Sequence, residues 1–94
     1  MSEGPVKNAA EPTVLVVEDE SALSTLLRYN LEREGYRVFE AHDGEEALIL
    51  ADEINPDLIV LDWMLPQLSG IEVCRRLRGR GMTRNVPIVM LSEV

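Results

Sequence analysis

The chain has 94 residues, 46% of them hydrophobic and 28% charged, which fits one small folded domain and no more. Its formal net charge of −8 argues against direct binding to a nucleic-acid backbone. No apolar run could span a bilayer and none reads as a signal peptide, so no membrane partner is expected; the single cysteine, Cys74, rules out an internal disulfide and suits a reducing, cytoplasmic location.

Residues 1–12 hold a glycine, two prolines and little apolar content, and read as a flexible N-terminal leader. The folded part is expected over 13–94. Residues 13–17 form a short, continuous apolar run that predicts a strand over about 13–18, buried on both faces. Over 21–34, Leu23, Leu26, Leu27 and Leu31 recur at helical spacing, and Gly35 follows as the expected residue past the helix end. Residues 36–41 are shorter in apolar content and more polar, as an edge strand would be. Asp43 predicts an N-cap with Glu46 three residues on. Ala47, Leu48, Leu50, Ala51 and Ile54 then mark a second helix, stopped by 55–57. A third strand is expected over 58–62 and a loop over 66–70. Ile71, Cys74 and Leu77 predict the apolar stripe of a third helix closing at Gly79 or Gly81, with Cys74 a buried structural thiol. After a turn at 83–87, residues 88–91 form a fourth apolar strand. The predicted plan is β-α-β-α-β-α-β, an α/β fold whose right-handed crossovers put helices on both faces of a parallel sheet.

The acids at the strand ends carry the chemistry. The first strand runs straight into Glu18 and Asp19, and the third into Asp62. Each group taken singly also reads as a solvated strand end or helix cap. Taken together, they would meet in the crevice outside the carboxyl ends of neighbouring strands, where open α/β sheets bind ligands. Three like charges there repel unless a cation joins them, and an all-oxygen set suits Mg²⁺. Ser92 is the first polar residue after the fourth strand and should face the same crevice. Trp63 and Met64 follow Asp62 directly and are expected as walls of the pocket. His42, the only histidine, falls at a strand-to-loop junction and is given no site role.

Other chemistries fit less well. No glycine follows the first strand, as a nucleotide-binding βαβ unit would need. No G-x-S-x-G elbow is present. An aspartate-based phosphohydrolase would need an acid two residues after Asp62, where the sequence has Met64.

In VLVVEDE at 14–20, LDWMLP at 61–66 with Ser69-Gly70 after it, and PIVMLS at 87–92, the chain resembles the receiver domain of two-component response regulators. The wording around Asp62 is similar to the phosphate-regulon (winged-helix) branch of that family. The resemblance implies a flavodoxin-like doubly wound sheet. It implies that Asp62 is the phosphoacceptor, taking its phosphoryl group from a sensor histidine kinase. It further implies Mg²⁺ held by Asp19, Asp62 and the Met64 backbone carbonyl with help from Glu18, and a Ser92 hydroxyl that holds the phosphate. Such a module is a phosphoacceptor and not an enzyme, and regulates transcription in a full-length protein. Receivers of this family have five strands, with a lysine at the end of the fifth; here the only lysine is Lys7, in the leader. The resemblance therefore implies the N-terminal part of a receiver, without the last strand and last two helices, weak in phosphorylation and prone to self-association through the fourth strand. The rival expectation is an inactive fragment that acts only by self-association or kinase binding.

Overall fold

The computed structural model describes residues 11–91. Four strands, β1 (Thr13–Val17), β2 (Arg37–Ala41), β3 (Leu58–Asp62) and β4 (Ile88–Leu91), alternate with three helices, α1 (Ser21–Arg33), α2 (Gly44–Ile54) and α3 (Gly70–Arg78). All strand pairs are parallel, in the order β2-β1-β3-β4. This is the predicted plan. Of the expected leader, only Glu11 and Pro12 are described, and the Pro12 carbonyl already accepts a hydrogen bond from the Arg37 N–H (2.9 Å). Lys7 and Ser92 lie outside the described residues.

The sheet is apolar on both faces at its centre because β1 and β3 carry no alternation, whereas the edge strand β2 carries Arg37 and Glu40. Leu15, Val17, Ile59 and Leu61 pack with Ala47, Leu48, Ala51, Val73 and Leu77 beneath α2 and α3. Val14, Val16, Val38 and Val60 pack on the other side, against Leu27 and Leu31 of α1. One face thus carries two helices and the other carries one. Burying such side chains stabilises the fold by about 1.5–3 kcal/mol each, which offsets the entropy of ordering the strands.

The helix ends follow from local chemistry. Gly35, at φ 95, takes the left-handed geometry that a side chain would resist. Its N–H bonds the Glu32 carbonyl and the Tyr36 N–H bonds that of Leu31, a Schellman closure of α1. Asp43 caps α2 through the Glu46 N–H (2.8 Å), as predicted, and Ser69 caps α3 through the Glu72 N–H (3.2 Å).

Three expectations about helix faces need correction. Leu26 is 56% and Ile71 49% exposed, so neither belongs to its predicted stripe. In α1 the inward position is Ser24, fully buried, whose hydroxyl donates to Glu40 (2.8 Å). In α3 the buried face is Gly70, Val73 and Leu77. Gly70 sits against the backbone of Asp62 and Trp63, and this contact sets the rotation of the helix, turning Ile71 outward. Cys74 is half-buried at the edge of the core rather than enclosed.

Candidate metal and phosphoryl site

The register places the acids. Val17 stands opposite Leu61 across the β1–β3 pair, so Glu18 and Asp62 leave the sheet at the same level, with Asp19 one residue on. Oxygens of Glu18, Asp19 and Asp62 lie within 4.8 Å of one another. Glu18 and Asp62 are buried, while Asp19 faces solvent. The Glu20 N–H donates to Glu18 Oε2 (3.2 Å) and the Met64 N–H to Asp62 Oδ1 (3.0 Å). Each of these bonds fixes a carboxylate by a backbone donor two residues further along.

Burial pushes the Glu18 carboxyl up from 4.5 to about 7, and the charges of Asp62 and Asp19 add to the rise, while the Glu20 N–H opposes it. The trio is thus under electrostatic load without a cation. Three carboxylates at this spacing, two of them shielded from water, are a hard all-oxygen donor set and fit a small dication.

A pH dependence follows. Between about 4.5 and about 7 the folded chain holds a proton on Glu18 that the unfolded chain has released. That contribution to stability is complete below 4.5 and is lost as pH rises through about 7, where the buried side chain becomes an anion. Metal-free stability should therefore fall across this window. Added Mg²⁺ should stabilise the fold most above it and bind more weakly below it, where it competes with the proton. Urea unfolding with and without Mg²⁺ at several pH values checks this. A Mg²⁺ increment that is the same on both sides of pH 7 contradicts it.

The other expected residues are distributed around this centre. Trp63 and Met64 are 46% and 68% exposed, so they form an open rim beside Asp62 rather than enclosing walls. The Trp63 N–H bonds the Leu91 carbonyl (2.9 Å) and its carbonyl accepts from Gly70 (3.0 Å), which anchors the start of the loop. His42, given no role from sequence, reaches the site: its Nδ1 lies 3.1 Å from the backbone oxygen of Glu18. Only the strand register, which composition and periodicity do not reveal, brings residues 18 and 42 together.

A parallel sheet in this order with acids at the ends of its first and third strands defines a class. Residues 14–94 match the family model for the response regulator receiver domain, and the chain belongs to that family, whose members are signalling modules of two-component systems. It is 59% identical over 81 residues to the phosphate regulon transcriptional regulatory protein PhoB of Rhizobium meliloti, covering 86% of this chain and 36% of the relative. It is 58% identical over 79 residues to the alkaline phosphatase synthesis transcriptional regulatory protein PhoP of Bacillus subtilis, covering 84% and 32%. The chain thus spans about a third of these curated relatives. Among solved structures, the N-terminal domain of a response regulator receiver protein from Methanoculleus marisnigri superposes with a TM-score of 0.80 at 37% identity, covering 83% of this chain and 63% of the other. The chemotaxis protein CheY4 of Vibrio cholerae gives 0.82 at 31% identity, covering 85% and 67%. The fold is therefore the flavodoxin-like receiver fold. No helix among the described residues is long and apolar enough to cross a membrane.

Proposed function

We propose that this chain is a phosphoacceptor module in which Asp62 takes a phosphoryl group from a phosphohistidine of a sensor histidine kinase. The observation that carries the proposal is the meeting of Glu18, Asp19 and Asp62 within 4.8 Å at the ends of adjacent strands. An Asp62 carboxylate oxygen attacks phosphorus, the P–N bond breaks, and the imidazole leaves with the bonding pair. The reaction demands in-line positioning and charge neutralisation and little covalent help. The Met64 N–H on Oδ1 holds Asp62 in one orientation. Glu18, Asp19 and Asp62, with the Met64 carbonyl, would hold Mg²⁺, which when bound supplies neutralisation of the equatorial phosphoryl oxygens. The Ser92 hydroxyl would bond the phosphate. Residues 13–94 act as the receiver part of a longer cytoplasmic regulator of transcription, with 1–12 as leader.

The test is intact mass after incubation with a small acyl phosphate donor. The chain should gain one phosphoryl group with Mg²⁺ and none with a chelator. Uptake that is equal in both conditions would overturn the metal-dependent reading.

A second reading, association of the chain with itself, has its own support. Among the described residues nothing pairs with the outer edge of β4. Val89 is opposite Val60, on the face that α1 covers, yet 48% exposed. An unpaired apolar edge invites another strand. Sedimentation of the 94-residue chain should show mass rising with concentration, and Val89→Lys should suppress the rise. A wild-type monomer at every concentration contradicts this.

A further inference from the structure

We infer that His42 is a positioning residue for the metal site, acting through the backbone carbonyl of Glu18. The inference rests on the metal-site proposal above and extends it to a residue outside the acidic trio.

The β1 ladder ends at Val17. The Glu18 N–H is still held by the Ala41 carbonyl (3.0 Å), but the Glu18 carbonyl lies past the last strand residue. His42 Nδ1 meets it at 3.1 Å, so a side chain continues the hydrogen bonding where the strand stops. A carbonyl oxygen only accepts, so Nδ1 carries the proton in this arrangement.

The main chain that carries the ring is itself anchored. The His42 backbone N–H donates to Glu46 Oε1 (2.8 Å), and Glu46 is fixed through its own N–H to the Asp43 cap. Nε2 of the ring faces Glu40 Oε1 at 3.7 Å. Glu40 in turn is held by the buried Ser24 hydroxyl (2.8 Å) and by Arg28 (2.9 Å). The cap of α2 thus fixes the backbone that carries the imidazole, Glu40 pairs with Nε2 only when the ring is doubly protonated, and the imidazole acts on one peptide plane.

That plane joins Glu18 to Asp19. Its orientation sets where both carboxylates leave the backbone, and both are repelled by Asp62 and by each other. Without an anchor on the carbonyl, the plane can turn and let the acids separate, which relieves repulsion but disperses the donors. Partners that orient metal ligands from outside the ligand set commonly contribute 10–100-fold in affinity, and the lower end is expected here because the ring is half exposed.

The experiment is Mg²⁺ titration followed by Trp63 fluorescence at one pH, on the 94-residue chain and four variants. In His42→Asn the amide N–H can occupy the place of Nδ1–H, whereas in His42→Gln it reaches toward the place of Nε2. His42→Phe keeps a ring but has no donor. Expected are an affinity about tenfold weaker in the Phe and Gln variants and near the parent value in the Asn variant, with all three unfolding like the parent in the absence of metal. A merely structural histidine would show instead a common loss of metal-free stability and no split between Asn and Gln. Equal affinity in the parent, Phe, Asn and Gln chains overturns the inference, while loss of binding in Asp19→Asn leaves the metal site standing. A titration unchanged in Asp19→Asn overturns the metal site and the inference with it.

Discussion

Asp19→Asn is expected to weaken Mg²⁺ binding by about 100-fold or more, since even an outer partner of a metal ligand is worth 10–100-fold. Asp19 is the exposed member of the trio, so its amide replacement disturbs no packing and isolates the electrostatic effect. It leaves an amide oxygen where a carboxylate stood and removes one of the charges that face Asp62 and favour a dication. The metal-free protein should become slightly more stable, because a charge that helps to raise the Glu18 carboxyl is gone. Stability without metal and affinity for metal should therefore move in opposite directions. Trp63 fluorescence reports the affinity and urea unfolding the stability. A variant that loses both together would mean that Asp19 holds the loop rather than a cation.

Gly70→Ala is expected to destabilise the fold by about 3 kcal/mol, at the upper end of overpacking costs, and to lower the melting temperature by about 12–24 °C. A methyl group at Gly70 would collide with the Asp62 carbonyl oxygen and come within 2.9 Å of the Trp63 Cα. Both obstacles are backbone, which cannot rotate away. They belong to the segment that delivers the proposed acceptor, so the same change should impair phosphoryl uptake beyond what lost stability explains. Gly81→Ala is the control: a methyl there meets nothing within 4 Å, and its effect should stay within about 0.5 kcal/mol. Thermal unfolding of the two variants side by side decides the matter. Equal melting temperatures would show that α3 can withdraw from β3 at little cost.

The parts of this fold that were legible in the sequence are those fixed by local pattern. Strands buried on both faces must be continuous apolar runs, so β1 and β3 announce themselves, and the acids that end them stand out; β4 carries the same apolar pattern although none of its residues is fully buried. Asp43 and Gly35 declare helix ends because few residue types serve there. Side-chain faces were less legible. Leu26 and Ile71 are apolar yet exposed, while Ser24 is polar yet fully buried. A hydropathy stripe cannot foresee a serine whose hydroxyl is satisfied by Glu40, an acid on a different element. Nor does it foresee that the absence of a side chain at Gly70 lets α3 settle against β3 and so sets which of its residues face inward. The place of His42 is hidden from the sequence for the same reason. Its partner is a backbone oxygen 24 residues away, and only the pairing of β2 with β1 brings the two together. The acidic trio was legible because its members are side chains at strand ends; the group that orients it was not, because it acts on main chain.

The most direct measurement of the central claim is the position of the phosphoryl group. After exposure to an acyl phosphate donor and Mg²⁺, borohydride reduction converts an aspartyl phosphate to homoserine, and peptide mapping locates it. The account predicts homoserine at position 62 alone, and no conversion in Asp62→Asn. Homoserine at position 19, or a phosphoryl group retained by Asp62→Asn, would contradict it.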